Sequence, residues 1–164
     1  MIAGLVAAAL AVCYPPPVEA PVSVPFVQPA CSYCPGHRGL EYRVAPATPV
    51  HFIAPGVVTF AGLVAGTEYV VVLQTDGMKA TYGQLQAALV TRGDLVVVGQ
   101  AAGRSGQRLY FGLRDAADDP IDPAPLLGVL VGRARLVPAP GGGERRASVP
   151  RRICAAIVSN VLTV

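Results

Sequence analysis

Residues 57–85, VVTFAGLVAGTEYVVVLQTDGMKATYGQL, have the pattern of three short strands joined by two tight turns. The segments on either side of Ala65-Gly66 are rich in valine, as buried strands are. The tetrapeptide 75-TDGM-78 predicts a second hairpin turn, because glycine adopts the positive φ angle that such a turn requires. Residues 79–85 then return as a third strand. The stretch therefore predicts antiparallel β-structure.

Further short strands are predicted on both sides of this stretch, and turn signals separate them. The chain has Gly 18 and Pro 16, which favours many turns over long helices. The one helical candidate is short and lies at Leu85–Leu89. The predicted fold is all-β, an antiparallel β sandwich or half-open barrel. Its strands are predicted at 37–44, 49–53, 57–64, 68–75, 79–85, 95–99 and 108–114.

The composition is that of one domain with a core of small aliphatic residues. The chain has 164 residues, is 52% hydrophobic and 14% charged, and contains no tryptophan. Its net charge is +3, and residues 137–164 alone carry +3, from four arginines and Glu144. The rest of the chain is therefore formally neutral. A neutral body with few aromatic residues argues against nucleic acid as a partner.

The two ends of the chain differ from its middle. Residues 1–13 begin with an apolar run that is shorter than the roughly 20 residues needed to span a bilayer. The run predicts an export signal or an N-terminal anchor, with membrane association through it. Cys13 is an alternative site of lipid attachment. Residues 14–35 predict a proline-rich arm that carries a CxxC motif, residues 36–137 form the body, and residues 138–164 are a basic Gly/Pro-rich tail. Within these limits, 128–137 is a candidate edge strand and 153–164 a candidate docking strand.

The chain has four cysteines, at positions 13, 31, 34 and 154. In an exported protein, paired cysteines are usually disulfide-bonded. We expect Cys31 and Cys34 to be oxidised, to each other or to Cys13 or Cys154. An alternative is a mixed metal site, because Cys31, Cys34, His37 and Glu41 follow the spacing C-x2-C-x2-H-x3-E.

Six ordered segments between residues 36 and 127 together resemble a known family. They are 36-GHRGLE-41, 48-TPVHFIAPGVVTFAG-62, 80-ATYGQLQ-86, 90-VTRGDLVVVGQAAGRSG-106, 108-RLYFGLR-114 and 121-IDPAPLL-127. The segments and their order resemble the lysostaphin/LytM-type zinc endopeptidases, which cut peptidoglycan cross-bridges. The resemblance implies the β-rich LytM fold (the duplicated-hybrid-motif type) and a place outside the cytoplasm, secreted or in the cell envelope.

The same resemblance implies that the metal centre is degenerate. The family's zinc ligands fall on His37, Glu41 and Tyr110, and its two further catalytic histidines fall on Gln84 and Arg108. Only His37 is kept, and His51, the other histidine of the chain, is expected on a strand face.

A catalytic zinc generally needs three protein ligands and an open water position. Tyr110 is a poor third ligand, because a phenol has a pKa near 10, and Arg108 carries a permanent positive charge. We therefore expect no catalytic residue, no bound metal and no cofactor. An ion pair between Arg108 and Glu41 is expected to occupy the old metal position.

These expectations lead to a functional hypothesis. The chain would be an inactive LytM-type domain that regulates peptidoglycan hydrolysis or serves as an adaptor for it, since it resembles family members that lack zinc ligands and bind other wall hydrolases. The alternatives are a peptidoglycan-binding module and an endopeptidase with an altered metal site. The expected partners are peptidoglycan or a peptidoglycan hydrolase. The expected binding groove contains His37, Glu41, Tyr82, Gln84, Arg108 and Tyr110.

Overall fold

The computed structural model describes residues 13–31, 34–131 and 151–154. Nine strands form one sheet in the order β1-β2-β8-β6-β5-β4-β7, with β3 and β9 also paired to β8. Strands β10 and β11 form a separate two-stranded sheet. All of these pairings are antiparallel. The strands are β1 Val22–Val24, β2 Leu40–Arg43, β3 Pro49–His51, β4 Gly56–Val64, β5 Thr67–Gln74, β6 Lys79–Ala88, β7 Leu95–Val96, β8 Ala101–Arg114, β9 Pro120–Ile121, β10 Val129–Val131 and β11 Arg151–Ile153.

The two predicted hairpins are confirmed. Ala65 and Gly66 both have positive φ angles, 49° and 86°, and connect β4 to β5. Gly77 has a φ of 86° in the turn between β5 and β6. The Asp76 carboxylate accepts a hydrogen bond of 3.0 Å from the Met78 amide and so stabilises that turn.

The all-β prediction is confirmed as well, and the predicted helix is wrong. In the part of the chain that the structure describes, the only helical element is a 3₁₀ turn at Ala124–Leu126. Residues 85–88 continue β6, where Leu85 pairs with Ser105 and Ala87 with Arg104 of β8. A neighbouring strand supplies their hydrogen-bond partners, and this tertiary pairing overrides the local helical tendency.

Strand β8 lies at the centre of the sheet and is longer than predicted. It spans Ala101–Arg114 and pairs with β2, β3, β6 and β9. Its first half is rich in glycine and polar residues, so the sequence signal marked only 108–114. The predicted strand at 95–99 is correspondingly short, because Gly99, with a φ of 79°, turns the chain into β8.

The core lies on one face of the sheet. Residues that alternate along β2, β6 and β8 point to this face, as the two-residue period of a strand requires. The Tyr82 hydroxyl lies in this core and accepts a hydrogen bond of 3.0 Å from the Ile53 amide. Among the inward residues with no more than 2% exposure on these strands are Leu40, Tyr42, Ala80, Tyr82, Ala102, Leu109, Phe111 and Leu113.

The proline-rich arm packs against the body instead of forming a free linker. Tyr14 and Val18 are only 5% and 7% exposed. The Tyr14 amide donates to the Leu126 carbonyl at 2.9 Å, and the Pro17 carbonyl accepts from the His51 amide at 2.9 Å. The proline-rich arm is therefore part of the folded unit. His51 lies exposed on β3, a strand-face position, as predicted.

The described part of the C-terminal region folds back onto the body. Strand β10 lies within the edge strand predicted at 128–137. It pairs with β11, which lies within the predicted tail. Cys154 is disulfide-bonded to Cys13, so the lipid-attachment alternative at Cys13 has no free thiol to use. Within the described ranges, no helix is long and apolar enough to cross a membrane. Residues 1–12 of the export signal predicted at 1–13, residues 132–137 of the predicted edge strand, and residues 138–150 and 155–164 of the predicted tail lie outside the described residues.

Candidate functional site

The candidate site lies on the outward face of β2, β8 and β6. Glu41 pairs with Tyr110 across β2 and β8, and Tyr110 pairs with Gly83 across β8 and β6. These residues alternate with the core residues and therefore point away from the core. Gln84 follows at a register shift and has a positive φ of 59°. A bulge of this kind changes the direction in which a side chain points. Here the Gln84 side chain points toward Glu41.

The Glu41 carboxylate is the centre of the site and contacts three side chains. Its Oε1 lies 3.5 Å from His37 Nε2 and 3.5 Å from Gln84 Nε2. Its Oε2 lies 3.6 Å from a terminal guanidinium nitrogen of Arg108. The structure thus brings together His37 and Glu41, which the resemblance placed at the family's metal-ligand positions, and Gln84 and Arg108, which it placed at the catalytic-histidine positions.

The ion pair predicted between Glu41 and Arg108 is present, but it is loose. Its 3.6 Å separation is within salt-bridge distance and beyond the roughly 3.2 Å reach of a hydrogen bond. The Arg108 side chain is 60% exposed, whereas that of Glu41 is 15% exposed. Solvent therefore screens the pair, and Arg108 remains available to another partner.

His37 is fixed from the side opposite Glu41. Its amide and carbonyl both bond to Val27, each at 2.9 Å. The ring Nδ1 lies 3.1 Å from the Pro25 carbonyl, and because a carbonyl only accepts, Nδ1 carries the proton in this contact. The segment before β2 therefore sets the orientation of the His37 ring.

Tyr110 is held as a neutral phenol. Its hydroxyl donates to the Arg38 carbonyl at 3.0 Å, and burial is the main cause that raises the pKa of the phenol. Its ring packs edge-on against His37, with centroids 5.9 Å apart. Glycines make room for it, because a Cβ at Gly39 would lie 2.8 Å from the ring and one at Gly112 would lie 2.9 Å from the hydroxyl.

A shallow cavity of about 370 Å³ lies beside Gln84 and Arg108, two of the residues that contact the Glu41 carboxylate. Tyr69, which the sequence did not indicate, lines this cavity and packs against Gly83, where a Cβ would overlap its ring. Its only sequence signal is its position directly before the valine run 70–72 of β5. The cavity is lined by Thr67, Tyr69, Gln84, Gly106, Gln107 and Arg108.

Tyr82 does not line the groove, and this corrects the sequence prediction. It is 0% exposed and pairs with Phe111 in the core. Gly83, the next residue, takes the outward position instead. The predicted groove therefore contains His37, Glu41, Gln84, Arg108 and Tyr110, with Tyr69 as an added wall.

These residues do not fit a zinc ion. In the described ranges, no group of three or more His, Cys, Asp or Glu side chains is arranged to hold a metal. The hydroxyl of Tyr110 is engaged by a backbone carbonyl, and the Arg108 guanidinium would lie beside any cation that Glu41 held. The alternative site with Cys31 and Cys34 is excluded in this oxidised structure, because the two sulfurs are bonded to each other.

Residues 35–123 match the sequence profile of Peptidase family M23, and this range is more than half of the chain. The chain belongs to Peptidase family M23. No curated protein sequence matches it. The M23 assignment agrees with the order of the six segments.

Solved structures show the same fold as this M23 chain. Helicobacter pylori Csd3 is 24% identical with a TM-score of 0.61, and the match covers 77% of this chain and 37% of that one. The lysostaphin catalytic domain of Staphylococcus simulans is 21% identical with a TM-score of 0.55, over 65% of this chain and 90% of that one. A chain of the SpoIIIAH and SpoIIQ complex is 18% identical with a TM-score of 0.59, and the match covers 67% of this chain and 96% of that one. The chain thus spans well under half the length of Csd3.

Proposed function

We propose that this M23 domain is catalytically inactive and acts by binding, as a regulator or adaptor of peptidoglycan hydrolysis in the cell envelope. One observation carries the proposal. The Glu41 carboxylate is surrounded by His37, Gln84 and Arg108, and none of the three completes a metal site with it.

The chemistry of these groups supports inactivity. Attack on a peptide bond in this family depends on a metal-bound water acidified to a pKa of about 7. Here the third ligand position is a neutral, half-buried phenol, Tyr110. Arg108 cannot accept a proton from water, because its guanidinium stays protonated.

The outward face nevertheless keeps the features of a binding surface. The cavity beside Glu41 offers the exposed Arg108 guanidinium and the amides of Gln84 and Gln107. Arg108 can bind a peptide carboxylate through two parallel hydrogen bonds. This contact would be closer than its loose ion pair with Glu41. Two disulfides favour an oxidising compartment outside the cytoplasm.

A peptidoglycan-binding module is the second candidate. The open cavity of about 370 Å³ favours it, because a groove with polar donors and an aromatic wall suits a short peptide. The two candidates differ in their partner. A regulator binds a hydrolase and changes its rate, whereas a wall module sediments with bare peptidoglycan.

The test uses the untagged full chain, so that no added histidine brings metal. Bound zinc and cleavage of purified peptidoglycan are measured with and without added zinc, and the expected result is neither. Stoichiometric zinc together with zinc-dependent cleavage would contradict the proposal.

The partner is tested with two arginine variants. Binding to a wall hydrolase from the same envelope, and the change in its rate, are measured beside sedimentation with peptidoglycan. Arg108→Ala is expected to weaken binding about tenfold, the effect of losing one charge-assisted contact. Arg92→Ala is the matched control, because Arg92 lies exposed in the turn before β7, across the sheet from β2. If the chain sediments with peptidoglycan but does not bind the hydrolase, the second candidate is correct. If it binds neither the hydrolase nor peptidoglycan, both candidates are wrong.

A further inference from the structure

The segment between β1 and β2 is a closed loop with a disulfide near its tip. Val27 and His37 form an isolated antiparallel bridge, with two backbone hydrogen bonds of 2.9 Å each. Inside this bridge, Cys31 and Cys34 are disulfide-bonded, and the Cys34 amide donates to the Cys31 carbonyl at 3.0 Å. The disulfide therefore lies within the same loop that fixes His37 at the site.

The two disulfides of the chain differ in burial and in loop length. Cys13 and Cys154 are 141 positions apart, and Cys154 is 0% exposed. Cys31 and Cys34 are three positions apart, Cys31 is exposed and Cys34 is half-buried. A cross-link over a short loop removes little entropy from the unfolded chain. The Cys31–Cys34 bond is thus accessible, and its loss is expected to destabilise the fold less than loss of Cys13–Cys154.

We propose that Cys31–Cys34 is a thiol–disulfide exchange site, and that its oxidation state controls how firmly His37 is held at Glu41. The reactant is a dithiol, either a small molecule or a reduced protein dithiol. This activity does not depend on whether the groove binds a hydrolase or the wall.

The exchange proceeds in two steps. One thiol of the reactant gives its proton to solvent, and its thiolate attacks Sγ of Cys31, the exposed residue of the pair. A mixed disulfide forms, the Sγ–Sγ bond breaks, and Cys34 leaves as a thiolate that takes up a proton. The second thiol of the reactant, again as a thiolate, then attacks the reactant sulfur of the mixed disulfide and releases Cys31. The dithiol is oxidised to a disulfide, and two electrons reduce Cys31 and Cys34 to thiols.

The loop connects this chemistry to the site. In the oxidised form, the Cys31–Cys34 cross-link restricts the described residues 28–31 and 34–36 and so favours closure of the Val27–His37 bridge. Reduction frees those residues, which raises the entropic cost of keeping the bridge closed. Opening of the bridge also moves His37 relative to the Pro25 carbonyl, which lies outside the bridge and contacts its Nδ1. The contact of 3.5 Å between His37 Nε2 and Glu41 is then expected to weaken.

The first test measures which disulfide exchanges. The oxidised full chain is incubated with graded dithiothreitol, the reaction is quenched, free thiols are alkylated, and the sites are read by mass spectrometry. Cys31 and Cys34 are expected to react at least ten times faster than Cys13 and Cys154. Equal rates, or faster reduction of Cys13–Cys154, would overturn the proposal.

The second test measures the coupling by NMR of the histidine rings. The chain has two histidines, and His51, exposed on β3, serves as an internal control. Selective reduction is expected to shift the His37 ring signals and to leave those of His51 in place. The double variant Cys31→Ser/Cys34→Ser, which keeps Cys13–Cys154, is expected to give the reduced His37 spectrum. Should this variant not fold, reduction of the wild-type chain decides the question. An unchanged His37 signal, or an equal shift of both histidines, overturns the coupling.

Discussion

The two faces of strands β6 and β8 place residues that adjoin in sequence in opposite environments. On the inner face, Tyr82 and Phe111 are 0% exposed and pack with ring centroids 5.3 Å apart. On the outer face, Gly83 and Tyr110 are paired beside the loosely held Arg108. Apolar burial on the inner face stabilises the fold, whereas contacts on the outer face are few and solvent-screened. The groove can therefore lose its family chemistry while the fold persists.

The largest expected effect is on the inner face. Phe111→Ala removes a fully buried ring from the centre of the core, and such a change typically destabilises by about 3–5 kcal/mol. The free energy of unfolding is measured by urea denaturation. Arg108→Ala, on the outer side of the same strand, is the control and should change stability by less than about 1 kcal/mol. Similar losses for the two variants would remove the distinction between the faces.

Two tyrosines give a finer comparison. Tyr82→Phe leaves the buried Ile53 amide without its acceptor, and we expect a loss of about 1–3 kcal/mol. Tyr110→Phe removes a donor from the Arg38 carbonyl, at a partly exposed position where water can replace the hydroxyl, so a loss below about 1 kcal/mol is expected. The two variants are compared by thermal and urea unfolding. A larger loss for Tyr110→Phe would contradict this ordering.

The buried tyrosines of the inner face lead us to expect a lower free energy of unfolding at high pH. Burial raises the pKa of Tyr82 above its ordinary value, and burial does the same for Tyr42. The unfolded chain therefore loses these protons first, so the contribution is complete below about pH 10 and is lost as the pH rises further. Each such tyrosine lowers the free energy of unfolding by up to about 1.4 kcal/mol at pH 11 relative to pH 8.

The measurement is the free energy of unfolding at pH 8, 10 and 11 for the wild type and for Tyr82→Phe. The variant is expected to show a smaller decrease between pH 10 and 11, because one buried phenol no longer titrates. An identical decrease would show that Tyr82 makes no contribution to it.

The smallest expected effect is at the centre of the outer face. Glu41→Gln removes the charge that faces His37 and Arg108, and because the pair is loose and Arg108 is 60% exposed, the loss should stay below about 1 kcal/mol. Unfolding at low and high salt checks it, and the small difference from wild type should shrink further as salt screens the pair. A loss of about 3–5 kcal/mol would instead mark a buried ion pair.

The sequence by itself determined the all-β fold, its hairpins and its family. Valine-rich runs and the turns at Gly66 and Gly77 are local features, and local features need no distant partner to be recognised. The ordered segments also placed His37, Glu41, Gln84, Arg108 and Tyr110 in one site.

Only the tertiary structure decided which way several residues face and what they touch. The face of a strand residue depends on register, and a shift of one residue reverses it. Register shifts in β6 carry the strand through 85–88 and set Gln84 on the groove side. Tyr82 turned inward and Tyr69 joined the groove for the same reason. The pairing of Cys13 with Cys154 was likewise undetermined, because it links positions that are close only once Tyr14 and Cys154 both pack against the 3₁₀ turn.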